Sequence, residues 1–151
     1  MFEAIKKIIG GITPGPPTED QDDLSINLAL TVLLFDAAYA DGECTAQEKA
    51  HLIDTLETNF KVPREEIDAL LADREKQREE HVELFRYTRF LNEHFSEAKK
   101  KILLESVWRI ILIDGHLEAH EDHFAHRLSD LLNLSHKDLI DAKLRARDQL
   151  S

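Results

Sequence analysis

Two long apolar runs, "LSINLALTVLLFDAAYA" (24–40) and "ILLESVWRIILI" (102–113), each stop at an Asp-Gly pair that is followed, after five residues, by Glu. Asp41, Gly42 and Glu48 in the first copy match Asp114, Gly115 and Glu121 in the second. The match continues downstream. "NFKVPREEIDALL" (59–71) reads against "LLNLSHKDLIDAK" (131–143) with a one-residue slip in the offset. Apolar helix, Asp-Gly turn, amphipathic helix, short turn and closing helix therefore occur twice. Two copies are too few for a solenoid, so the pattern predicts a pseudo-symmetric helical bundle.

The placement of glycine and proline agrees. Gly10, Gly11, Gly15, Pro14, Pro16 and Pro17 fall in "GGITPGPP"; the only other glycines are Gly42 and Gly115, and the only other proline is Pro63. Pro63, in "VPREEI", suits the first turn of a helix. No alternating β-branched run of strand length occurs, and a chain of 151 residues is long enough for one core. The expected fold is all-α, a compact bundle of about seven helices with an internal pseudo-twofold repeat. Residues 1–17 form an amphipathic arm and a Gly/Pro linker, and residues 18–151 form the helical domain. Helices are expected over Asp20–Ala40, Thr45–Phe60, Pro63 to about Ala72, a segment ending near His94, Ser96–Ile113, Glu118–Leu132 and Ser135 to about Gln149. Thr45 with Glu48 makes a capping box.

The net charge of −11 disfavours nucleic acid and anionic lipid and favours a cationic ligand or a basic protein surface. One cysteine, Cys44, excludes an internal disulfide and suits a reducing compartment, so a cytoplasmic, bacterial-type protein is expected. Phe2, Ile5, Ile8 and Ile9 share one side of the N-terminal arm and are expected to pack back on the domain. Nine residues carrying two lysines would anchor to a membrane weakly at most.

Three sets of residues could carry chemistry. Asp41, Glu48, Asp114 and Glu121 would form an oxygen-rich site for Ca2+ or Mg2+ if the repeat gathers them. Their other reading is structural: Asp ends a helix and Gly takes the left-handed conformation that stops it. Neither motif is an EF-hand by itself, because Ala37, Tyr39, Ile110 and Leu112 occupy the positions of the first two ligands. His116, His120 and His123 are spaced to ligate zinc or nickel, or equally to sit at the boundary of an apolar face. Asp36 lies among apolar residues of the first run, its counterpart in the second is Arg109, and the two are expected to form an internal ion pair. No phosphate loop, nucleophile elbow or Cys-His pair occurs, and no enzymatic activity is expected.

The doubled pattern "AAYADGECTAQEKAHL" and "ILIDGHLEAHEDHFAHRL", with "NLSHKDL" after the second copy, resembles the tellurite-resistance TerB family. It is also similar to the N-terminal region of a DnaJ-type co-chaperone, although the co-chaperone function is not expected of this chain. The resemblance covers about Asp22 to Asp148. It implies a compact helical fold with pseudo-twofold halves, a link to tellurite and other stress responses, and a divalent cation held by Asp41, Glu48, Asp114 and Glu121. The chain is then expected to act as a non-enzymatic interaction module with protein partners. The alternative is a metal sensor or metal-sequestering protein that uses the acidic motifs or the histidine stripe.

Overall fold

The computed structural model describes residues 25–40, 42–77, 83–113, 117 and 119–150, and among them all regular structure is α-helical. The described residues form seven helices: α1 (Ile26–Ala38), α2 (Ala46–Thr58), α3 (Arg64–Lys76), α4 (Leu84–His94), α5 (Glu97–Leu112), α6 (Ala119–Leu131) and α7 (His136–Leu150). The expected bundle is the one observed. The N-terminal arm and the Gly/Pro linker lie outside the described residues.

Hydroxyl side chains set most helix starts. The backbone N–H groups of Leu28, Glu48, Lys99 and Asp138 donate to the hydroxyls of Ser25, Thr45, Ser96 and Ser135 at 3.0–3.2 Å. Each bond satisfies one of the donors that a helix leaves open at its first turn. At Thr45 the box is complete, since its own N–H donates to Glu48 Oε1 at 2.8 Å. Ser135 makes the same exchange with Asp138, its N–H donating to Oδ2 at 3.1 Å. The Ser25 cap starts α1 later than the expected Asp20, while α3 runs beyond Ala72 to Lys76.

The repeat is visible in the backbone. Among the described residues the non-glycine residues with positive φ are Lys61 (59°) and Asn133 (61°), which follow α2 and α6 at equivalent places. The next residues, Val62 and Leu134, are buried and their N–H groups return to Leu56 and Ser129 at 3.0 Å. A left-handed residue followed by an apolar plug ends both amphipathic helices.

Within each half the closing helix runs parallel to the apolar one. Asn27 donates to Glu66 near the starts of α1 and α3, and Arg74 meets Asp36 near their ends. Lys101 pairs with Asp138, and Arg109 with Gln149, in the same sense along α5 and α7. α1 and α5 pack against each other at the centre. Most of their side chains are buried, including Leu30, Leu33, Leu34, Leu103, Leu104, Trp108 and Ile111. A helix apolar all round is stable only when other helices enclose it, and α2, α3, α6 and α7 do so. α4 lies across α1 and α6. It is tied down where Asn92 Nδ2 donates to the Leu131 carbonyl at 2.9 Å and Lys100 Nζ reaches Asn92 and the Leu132 carbonyl. No helix of the described residues is long and apolar enough to cross a membrane.

Candidate functional site: the acidic helix junctions

The first junction follows α1. Gly42 has φ +94°, and its N–H donates to the Tyr39 carbonyl at 2.9 Å. That conformation is strained for any residue with a side chain, which accounts for glycine here. Cys44 follows, half-exposed, with its thiol 3.6 Å from the Thr45 carbonyl. Then comes the capping box, and with it Glu48, which is only 1% exposed. Its carboxylate turns back toward the junction, as the bond from Thr45 N–H shows.

Glu121 stands at the matching place in α6 and is also 1% exposed. Carboxylates this deeply covered must be compensated by hydrogen bonds, a proton or a cation. Asp41, Asp114 and His116 lie outside the described residues. Among the described residues no three His, Cys, Asp or Glu side chains converge as a metal-binding cluster. Both α2 and α6 pack on α1 and α5 rather than extensively on each other. The chemistry of the motif residues, carboxylates alone, fits a hard cation such as Ca2+ or Mg2+ better than a softer one.

The histidines are dispersed in their surroundings. His120 and His123 are exposed. His126 lies 3.5 Å from Asp122, and its ring centroid is 6.2 Å from that of His136.

The ion pair expected between Asp36 and Arg109 is replaced by two separate arrangements. Asp36 is paired with Arg74 of α3, with Nη2 3.8 Å from Oδ1, and both side chains are largely covered. The Arg74 guanidinium also lies 5.6 Å from the centre of the Phe35 ring. Its Nε and Nη2 atoms are buried and make no hydrogen bond. Burial pushes the Asp36 carboxyl from 3.8 up to about 6, and the Arg74 charge opposes part of that rise. Arg109 instead contacts Glu105 at 3.8 Å, Ser106 Oγ at 3.2 Å and Gln149 of α7, which in turn donates to Glu105. The reason is topological. Each central helix lies parallel to the closing helix of its own half, so its polar residue meets that helix.

Two polar groups go beyond what the sequence suggested. Arg74 follows Ile67 and Leu71 at helical spacing, so its place on the apolar face of α3 was readable within the charged run "DREKQREEH". His51 lies beside the buried stripe of Glu48, Leu52 and Thr55 and is half-buried, with Nε2 making no hydrogen bond. Desolvation and the nearby Arg109 charge lower its pKa, and Asp54 partly offsets them.

Comparison with curated proteins and with solved structures gave no significant match. The family model described as tellurite resistance protein TerB matches residues 27–144, from the first turn of α1 into α7. With both copies of the junction inside that match, the chain belongs to the TerB family.

Proposed function

We propose that this protein is a non-enzymatic TerB module of a stress response that acts through protein partners, with a divalent cation at its acidic junctions. The carrying observation is the burial of Glu48 and Glu121 at equivalent positions where one helix ends and the next begins. Asp41 with Glu48 would serve the first junction, and Asp114 with Glu121 the second. A bound cation would neutralise carboxylates that are costly to bury and would tie the end of each apolar helix to the start of the next. The overall charge of −11 favours a basic partner surface over nucleic acid or anionic lipid.

Calorimetric titration of the full chain with CaCl2, MgCl2 and ZnCl2 tests the cation. Binding of Ca2+ or Mg2+ that disappears in Glu48→Gln/Glu121→Gln is the expected outcome. Absence of heat with either hard cation at millimolar concentration removes the cation from the proposal. Zinc binding lost in His120→Ala/His123→Ala instead would favour the metal-sequestering alternative.

A further inference from the structure

One histidine-bearing corner of the fold is not demanded by the repeat. α6 and α7 are joined through the left-handed residue Asn133, as α2 and α3 are joined through Lys61. In the first copy an ion pair bridges this turn, with Arg64 Nη1 of α3 4.0 Å from Glu57 of α2. The places of Lys49, Ile53 and Arg64 are taken in the second copy by Asp122, His126 and His136. An ammonium, an alkyl group and a guanidinium, none of which offers a lone pair to a metal, give way to a carboxylate and two imidazoles. The first copy builds the same corner without histidine, so packing does not require these residues.

His126 Nε2 lies 3.5 Å from Asp122 Oδ2. That is longer than an N–H···O hydrogen bond. It is close to the edge of a tetrahedral zinc site, where donors about 2.0–2.1 Å from the ion stand ~3.4 Å from each other. The ring centres of His126 and His136 are 6.2 Å apart. Two imidazoles on one tetrahedral ion have centres about 5 Å apart. As they stand, the three side chains do not meet at one point. Side-chain rotation can close the difference, because His136 is exposed and the side chains of His126 and Asp122 are 45% and 42% exposed. The cation next to His136, Lys137, is neutralised by Asp141 at 2.8 Å.

We propose that Asp122, His126 and His136 form a zinc site that ties α6 to the first turn of α7, with water completing the coordination. Two imidazoles and one carboxylate suit zinc, whereas Ca2+ and Mg2+ take oxygen ligands. The site is therefore chemically distinct from the acidic junctions and does not rest on them. It differs as well from the set of His116, His120 and His123, since its third ligand comes from the neighbouring helix. Zinc here does what the Arg64–Glu57 pair does in the first copy: it closes the turn between an amphipathic helix and the helix that follows. The net charge of −11 favours the approach of a cation.

Titration of the full chain with ZnCl2, read by calorimetry and by 1H–15N NMR, tests the site. One zinc per chain is expected, with backbone shifts centred on residues 122–137. His126→Ala and His136→Ala, each alone, should weaken binding at least about ten-fold, and Glu48→Gln/Glu121→Gln should leave it unchanged. Zinc should also raise the unfolding temperature of the natural chain, and His136→Ala should remove that increment. Absence of binding at millimolar zinc, or equal affinity in the natural chain and His136→Ala, overturns the proposal. Zinc lost in His120→Ala/His123→Ala but kept in His136→Ala overturns it by assigning the metal to the stripe along α6. One zinc shared by two chains in a concentration-dependent dimer overturns it as well, the histidines then bridging copies.

Discussion

Asp36 is ionised at neutral pH only against the cost of its burial, and that makes folding stability depend on pH in an unusual direction. The folded carboxyl titrates near 6, against 3.8 for the ordinary group. A displacement of two units corresponds to about 3 kcal/mol between the two protonation states. The folded state therefore holds this proton more tightly than the unfolded chain. The stability that Asp36 contributes is fully present below pH 3.8 and is lost as pH rises through 6. Asp36→Asn removes the titration while keeping the shape, and leaves Arg74 without its counter-charge at every pH. Urea unfolding of both proteins between pH 4 and pH 7 isolates the effect, since all other groups cancel in the difference. The stability of the natural chain relative to Asp36→Asn should fall by about 2–3 kcal/mol from pH 4 to pH 7. A difference that is flat or rises with pH refutes the assignment of a desolvated carboxyl.

Other consequences are equally direct. In double-mutant cycles Asp36→Ala should couple with Arg74→Met by about 1 kcal/mol or more, and add to Arg109→Leu within about 0.5 kcal/mol. His51 should titrate below 6.5 in a proton-detected NMR series, and Arg109→Leu should move it back upward. Because its folded pKa is lowered, the stability tied to His51 is present above 6.5 and lost as pH falls through the folded value, opposite to Asp36. Thr45→Ala should cost about 1 kcal/mol in denaturant unfolding through loss of the cap. Gly42→Ala should cost a similar ~1 kcal/mol from its positive φ alone, because an added Cβ meets no atom within 4 Å.

The duplicated architecture was legible because it is written in residue classes. Apolar runs give central helices, Ser and Thr give starts, and the positions of Lys61 and Asn133 fall where the repeat slips by one. The burial of Glu48 was readable too, from its place beside Leu52 and Leu56. The partner of Asp36 was not. A helical wheel tells which face a residue occupies but not which helix will cover it, and the repeat pairs each central helix with its own closing helix. Arg74 sat in a charged run whose composition suggested a solvated stretch, and only its spacing from Ile67 and Leu71 showed otherwise. α4 was legible only as a helix ending near His94, and nothing in the repeat told that it would lie across α1 and α6.

If the two acidic junctions are equivalent cation-binding sites of a TerB fold, a 1H–15N NMR titration of the full chain with CaCl2 and then MgCl2 will register both at once. Shifts should concentrate in the backbone of residues 39–48 and 113–121, with Glu48→Gln silencing the first set and Glu121→Gln the second. Unchanged spectra at millimolar cation, or shifts confined to the exposed acidic residues of α3 and α7, would contradict the cation-binding junctions.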